Sequence, residues 1–320
     1  MARRAILLMG PTGAGKTDLA VELAGQWPVE IISVDSALVY RGMDIGTGKP
    51  GRDVLARVPH HLVDILDPAE PYSAGQFVRD AVRLMADIHA RGKVPLLVGG
   101  TMLYFRALKR GMAVLPEADP ATRAEIEAEA RAKGWPALHA ELGRVDPLAA
   151  GRILVNDSQR IQRALEVFRL TGEPLSHWQA ATQVPAPDVA FHRIAWGPVD
   201  RERLYERIER RFHAMMAAGF LDEVRQLLAR KDLSPELPAL RSVGYRQLWA
   251  HLAGEVPLEE AVRAGILATR HLARRQLIWL RKEPDCEWMD SLDSGISARI
   301  NQFMARVFGP QGIVLQSKSD

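Results

Sequence analysis

The chain contains a single cysteine, Cys286. That excludes an internal disulfide and any cysteine-rich zinc cluster, and it fits a reducing compartment. No run approaches about 18 consecutive apolar residues, so no segment is expected to span a membrane. The stretch Ala5-Ile6-Leu7-Leu8-Met9 follows two arginines, but it is too short for a secretory signal core and runs straight into glycine. Internal repeats and low-complexity segments are missing. Charge of one sign is not in excess either, since 42 Lys and Arg against 39 Asp and Glu leave +3. So small a net says little of partners, because a polyanion-binding surface needs its excess concentrated locally. What remains is ordinary: 320 residues, 47% apolar and 25% charged. This is a globular composition, long enough for about two domains.

The first hundred residues alternate between short apolar runs and amphipathic stretches. Ala5 to Met9, Val29 to Val34 and Val94 to Val98 read as buried strands, each closed by Gly, Asp or Ser. Leu62 to Leu66 is a weaker strand candidate. Lys16 to Gln26 and Ala74 to Arg91 read as helices between them, so parallel strands with right-handed crossovers are expected. From Asp119 the composition turns to Ala, Arg, Glu and Leu without a strand-like run. Asp119-Pro120 and Asp146-Pro147 read as helix starts, and Asp157 or Ser158 as the cap of a helix over Gln159 to Leu170. Gln179 to Asp188 reads as a connector, Phe191 to Trp196 as one more strand, and Asp200 to Lys282 as helical, broken at Ser234-Pro235 and Gly254. Ser317 to Asp320 reads as a frayed tail. The expected fold is α/β: a P-loop NTPase-like parallel sheet flanked by helices, with a helical insertion. The sheet domain would occupy residues 1–114 and resume at 196–320, with the insertion at 115–195.

Gly10-Pro11-Thr12-Gly13-Ala14-Gly15-Lys16-Thr17 matches G-x-x-x-x-G-K-[ST]. Such a loop turns backbone N–H groups around an anion at a helix N-terminus. Lys16 would reach the terminal phosphate, and Thr17 would offer a hydroxyl to Mg²⁺. The motif reads a diphosphate or triphosphate without saying which molecule carries it. Asp35 ends the second strand, and Thr101 follows Gly99-Gly100 at the end of another, so both share the ligand-binding rim of a parallel sheet. Asp35 could be a catalytic base, a Mg²⁺-associated carboxylate or a cap, while Thr101 could simply turn and cap the chain.

A small-molecule or nucleoside kinase is the first reading of such a loop, with residues beyond 110 as its lid. The basic residues argue for a larger partner. Arg263 to Lys282 holds six basic residues and no acidic one. On a helix, Arg263, Arg270, Arg274 and Arg281 fall within about 20° of one line. Arg160 and Arg163 pair at i, i+3 beside Gln159 and Gln162, and Arg241 and Arg246 bracket Ser242-Val243-Gly244-Tyr245. Together these point to nucleic acid, either as a substrate or for a pure RNA-binding module. His60-His61 and Cys286 read as structural. Trp249, Trp279 and Trp288 could stack on bases, but read first as core or half-buried packing residues.

The P-loop, with Ile32-Ser33-Val34-Asp35-Ser36-Ala37-Leu38-Val39-Tyr40-Arg41-Gly42-Met43-Asp44-Ile45-Gly46-Thr47-Gly48-Lys49-Pro50, resembles the tRNA dimethylallyltransferase (tRNA isopentenyltransferase) family. So do Pro59-His60-His61-Leu62-Val63-Asp64, Tyr72-Ser73-Ala74 with Phe77, Gly99-Gly100-Thr101 with Tyr104, Arg207-Ile208-Glu209-Arg210-Arg211 and Arg241 to Arg246. The resemblance runs from about residue 5 to 282. It implies transfer of a dimethylallyl group from its diphosphate to N6 of adenosine 37 in the tRNA anticodon loop, in tRNAs reading codons that start with U. It also implies Mg²⁺, on Thr17, and no nucleotide cofactor despite the nucleotide-binding type of loop; the lack of disulfides agrees with a cytoplasmic location, and a monomer is the default expectation.

By the same resemblance the catalytic residues are Asp35 as base, Thr101, and Arg211 on diphosphate, with Arg207 and Arg210 close by. The diphosphate lies on Gly10, Pro11, Thr12, Gly13, Ala14, Gly15, Lys16 and Thr17. tRNA contacts fall on Asp35, Ser36, Ala37, Leu38, Thr101 and Arg123; on Gln159, Arg160, Ile161, Gln162 and Arg163; on Arg241, Ser242, Val243, Gly244, Tyr245 and Arg246; and on Arg274, Arg275, Gln276 and Arg281. Two departures stand out. Gly13-Ala14 replaces the Ala-Ser of many relatives, removing one side-chain hydroxyl, and the resemblance is to the bacterial form, which is expected to do without the eukaryotic C-terminal zinc finger.

Overall fold

The computed structural model describes residues 3–113, 115–181 and 183–309. The tail at Ser317 to Asp320 lies outside them. The strands are β1 (Arg4–Met9), β2 (Val29–Val34), β3 (His60–His61), β4 (Val94–Gly99), β5 (Met112–Ala113), β6 (Gln183–Val184), β7 (Ala190–Gly197) and β8 (Glu287–Asp290). Six of them form one sheet in the order β3-β2-β4-β1-β7-β8. Every neighbour in it is parallel. β1 and β2 are buried almost throughout, which is why they read as unbroken apolar runs: helices cover both faces of such a sheet. On one face Leu19 and Leu23 of the Lys16–Gln26 helix share one buried cluster with Phe303, Met304 and Val307 of the Ile296–Phe308 helix and with side chains of β1, β2 and β4. That face closes the core beneath the P-loop and holds its strand in place.

Charge interrupts β2 at Glu30, 5% exposed. Its carboxylate accepts from Arg91 at 2.6 Å, and His61 and Lys93 approach at 3.0 and 3.1 Å. The Arg91 guanidinium, against the opposing effect of burial, holds the Glu30 carboxyl down at about 2. A carboxyl depressed in the folded chain stabilises it above its unfolded pKa, and that stabilisation fades as pH falls toward the folded pKa. The stability gap between the wild type and Glu30→Gln should therefore be constant above pH about 5 and close between pH 4.5 and 2. Denaturant titrations at each pH check this, and a gap independent of pH would remove Glu30 from the acid-sensitive groups.

The second compact unit is Ala107–Pro187. Helices Pro120–Lys133, Trp135–Val145, Ser158–Thr171 and Leu175–Ala181 surround Ile126, Leu138, Leu142, Ile161 and Leu165. Asp119, Asp146 and Asp157 cap as their sequence signals predict, each side chain accepting the N–H of Thr122, Ala149 or Arg160. The expected limits of 115–195 need correcting. Residues 190–195 pair with 4–9 of β1 and belong to the sheet, whereas 107–113 go with the helical unit. The connector read over Gln179 to Asp188 also contains β6, antiparallel to β5.

Leu62 to Leu66 is not a strand. Leu62 and Asp64 adopt left-handed backbone, φ 62° and 55°, so the chain turns after the two residues of β3. The structure adds β8 and the Ile296–Phe308 helix to the expected elements; β8 is a short edge strand carrying Glu287 and Asp290, with no apolar run to mark it. Gly219, at φ 98°, adds a break in the helical stretch after Asp200, between Arg201–Ala217 and Phe220–Leu228.

Candidate functional site

The P-loop leaves β1 at its carboxyl end and opens the Lys16–Gln26 helix. Gly13 and Gly15 take φ 78° and 82°, which lets the loop curl back over the helix N-terminus. Lys16 Nζ donates to the Pro11 carbonyl at 2.7 Å. Burial lowers its ammonium pKa to about 8; Asp35 opposes that shift and Arg211 adds to it. Lys16, Asp35 and Arg211 thus share one field.

Asp35 follows β2. Its Oδ1 accepts the N–H groups of Ala37 at 2.8 Å and Leu38 at 3.3 Å. Both bonds land on one oxygen, so Oδ2 is the one left for the cavity. Of the roles open to Asp35, capping is met at a turn rather than a helix, and it leaves the chemical role possible. Thr101 ties two strand ends together. Its N–H donates to Val34 O at 3.2 Å, and its Oγ1 accepts from Ser36 N–H at 3.2 Å. Thr101 therefore holds the turn that carries Asp35.

Arg211 projects from the Arg201–Ala217 helix and donates to Thr47 O at 3.4 Å. Burial pulls its pKa down, while Asp35 and then Asp18 oppose that. Gly48, at φ 66°, makes room for it, since a Cβ there would collide with the guanidinium. The 44–49 loop is itself fastened. The Glu223 carboxylate accepts the N–H groups of Asp44, Ile45 and Gly46 at 2.9, 2.7 and 3.0 Å, and the Tyr245 hydroxyl at 2.5 Å. Lys49 donates to Tyr40 O at 2.8 Å and pairs with Asp44 and Asp64. Composition could not reveal these fasteners, because Glu223 lies far from the loop in sequence.

Two cavities of about 1000 and 530 Å³ share Thr12, Asp35, Thr47, Gly100, Arg211 and Gln276 as walls. The larger is lined by Lys16, Thr17, Arg207 and Arg210. The smaller is lined by Thr101, Ile208, Phe212, Met215, Arg241 and Trp279. Of the three neighbouring arginines, Arg211 alone lines both. The apolar lining carried no sequence signal, since its residues are the same types that fill the core.

The residues expected to meet RNA divide. Ser36, Ala37, Arg241, Ser242, Val243 and Arg275 line the smaller cavity, and Leu38 the larger. Ile161 is fully buried, so its side chain holds the fold rather than presents a surface; Tyr245 is also closed to solvent but stands in the wall of the smaller cavity. Gly244, at φ 90°, packs against Phe220. Gln276 has both ends of its carboxamide engaged inside the protein. Arg246, Arg274 and Arg281 are exposed. The acid-free stripe is not free of acids in space. Arg270 pairs with Glu209 at 2.6 Å and Arg263 with Glu259 at 3.9 Å; both carboxylates come from outside the Arg263–Lys282 stretch. Arg274, Arg275 and Arg281 have no carboxylate partner among the described residues.

Within the helical unit, Arg123 and Arg163 both pair with the buried Glu166 at 2.8 Å, and Arg160 pairs with Asp157. Burial disfavours the Glu166 carboxylate, yet Arg123, Arg163 and the Asp119 N–H outweigh it and hold its pKa below the usual range. Gln162 donates to Glu127 at 3.0 Å, and Gln159 is exposed.

A P-loop on a parallel sheet, facing a carboxylate and a half-buried arginine across two adjoining cavities, defines an enzyme of the P-loop transferase class. The family model described as IPP transferase matches residues 38–283, and the one described as isopentenyl transferase matches residues 3–62. The chain is 58% identical to the tRNA dimethylallyltransferase of Thioalkalivibrio sulfidiphilus, covering 94% of this chain and 95% of that one. Against the tRNA dimethylallyltransferase of Ralstonia nicotianae it is 55% identical, over 91% and 92%. The solved tRNA isopentenylpyrophosphate transferase of Bacillus halodurans superposes with a TM-score of 0.67 at 36% identity, over 95% and 96% of the two chains. A eukaryotic dimethylallyltransferase captured acting on tRNA gives 0.78 at 26%, over 98% and 82%. The chain belongs to the tRNA dimethylallyltransferase family. No described helix is long and apolar enough to cross a membrane.

Proposed function

We propose that this enzyme transfers a dimethylallyl group from dimethylallyl diphosphate to N6 of adenosine 37 in the anticodon loop of tRNAs reading codons that start with U. The observation that carries this reading is the shared wall of the two cavities. Lys16 and Thr17 of the P-loop border one, the basic residues Arg241 and Arg275 border the other, and Asp35 and Arg211 belong to both. A donor held on the larger side and a base entering from the smaller side would meet at Asp35.

In this mechanism Lys16 and Arg211 neutralise the charge that develops on diphosphate as the allylic C–O bond breaks. The adenine amine is a weak nucleophile, because its lone pair is delocalised into the ring. Asp35 Oδ2 accepts its proton as the N–C bond forms. The adenine leaves its stack to reach the site, as bases in RNA loops readily do. Ile208 and Phe212, beside Arg211, offer apolar surface to the prenyl tail.

The donor set also fits Mg²⁺. That ion takes hard oxygens, keeps several waters and leans on substrate phosphates, so the Thr17 hydroxyl on the cavity wall serves without a cluster of acidic or histidine ligands. When bound, Mg²⁺ supplies further charge neutralisation to the leaving diphosphate. Arg274 and Arg281 hold RNA phosphates. A cytoplasmic monomer is the simplest form that meets these needs.

The deciding assay combines dimethylallyl diphosphate, Mg²⁺ and unmodified tRNA. N6-prenylated adenosine at position 37 supports the proposal. ATP turnover without it would favour a kinase, and tRNA binding without product a pure RNA-binding module. Replacing Arg274 and Arg281 together with Ala should weaken tRNA binding and flatten its dependence on salt by about two counterions' worth of slope. An unchanged slope in a binding titration would return these arginines to a solvated face.

A further inference from the structure

We propose that Gln276 is a positioning residue. On this reading it is a strut that fixes the P-loop against the Gly-Gly-Thr loop and so sets the spacing between the leaving group and Asp35, rather than contacting RNA. The inference rests on the function proposed above. Gln276 lies on the Leu258–Leu280 helix next to the exposed Arg274 and Arg275, but it turns inward. Its Oε1 accepts the Thr12 N–H at 2.8 Å, and its Nε2 donates to the Gly100 carbonyl at 2.9 Å. A carboxamide has an acceptor at one end and donors at the other, so one orientation satisfies both loops and the flipped one satisfies neither. Gly100 is shaped to this contact, since a Cβ there would collide with Nε2.

The geometry gives the strut two arms. Through Thr12 it reaches the loop that carries Lys16. Through Gly100 it reaches Thr101, whose Oγ1 accepts the Ser36 N–H of the Asp35 turn. Past the ends of β1 and β4, the backbone link between the two loops is Gly10 N–H to Gly99 O at 3.3 Å, a long bond to carry the alignment. Thr12, Gly100 and Gln276 all stand in the wall common to both cavities. A small shift there moves both the phosphate cradle and the base, and misplacement by about 1 Å can cost on the order of 10² in rate.

The experiment uses the full chain with Gln276→Ala, Gln276→Glu and Gly100→Ala. Rates are normalised to the folded fraction, and tRNA affinity and inorganic diphosphate affinity are measured alongside. Gln276→Ala should lower kcat by about 10- to 100-fold while tRNA affinity stays within about twofold. Gln276→Glu keeps the acceptor but loses the donor, so it should not rescue. Gly100→Ala should reproduce the loss, and combining it with Gln276→Ala should add nothing, as expected for two changes to one contact. Weakened tRNA binding with unchanged kcat would make Gln276 an RNA contact and overturn the proposal; so would additive losses. If the wild-type enzyme makes no prenylated tRNA, the parent reading fails. The strut is then judged on inorganic diphosphate affinity, which should fall several-fold in Gln276→Ala, and an unchanged value overturns it.

Discussion

Asp35→Asn should lower turnover by about 10²- to 10⁴-fold, the usual worth of a positioned general base, with tRNA affinity preserved. Asparagine is the sharper substitution. Its side-chain oxygen can still accept the Ala37 and Leu38 N–H groups that Oδ1 accepts now, so the turn survives while the basic oxygen is lost. Asp35→Ala removes both and should fall at least as far. Single-turnover kinetics with saturating tRNA and dimethylallyl diphosphate separate the chemical step from binding. Near-normal turnover in Asp35→Asn would end its role as base and leave it as the keeper of the turn.

Lys16→Ala should cost about 10²- to 10³-fold in kcat, comparable to losing one donor from a preorganised anion site. Its pH signature separates it from a general loss of structure. Burial lowers the Lys16 ammonium to about 8 in the free enzyme, and only the protonated form opposes phosphate charge. Affinity for inorganic diphosphate should therefore decline as pH rises through about 8 in the wild type, and that limb should vanish in Lys16→Ala. A wild-type affinity that is flat from pH 7 to 9 would mean that the ammonium stays protonated throughout. Asp35→Asn should move the limb to lower pH, because Asp35 is the group that raises the Lys16 pKa.

The readable elements were those whose signal is local. β1, β2 and β4 declare themselves as short apolar runs. The helices starting after Asp119, Asp146 and Asp157 declare themselves by their caps. Asp35 and Thr101 could be set on one rim because parallel strands present their carboxyl ends together. Where the cues were nonlocal or weak, reading failed. Leu62 to Leu66 has the composition of a strand but the backbone of a turn. The Arg263–Lys282 stripe looked free of acids because Glu209 and Glu259 lie outside it in sequence. No local signal marks the carboxamide of Gln276 as joining two loops some 176 and 264 residues away along the chain.

By itself, then, the sequence determined the phosphate cradle, the parallel sheet beneath it, the family and the acidic residue beside the cradle. Each depends on backbone geometry within a few residues, which local residue types dictate. The tertiary structure alone decided which groups face one another: Arg211 over Gly48, Glu223 beneath the 44–49 loop, and Gln276 between Thr12 and Gly100. Those pairings join segments far apart along the chain. Their partners are chosen by packing and by the need to satisfy buried polar groups, and neither is written in any local stretch of sequence.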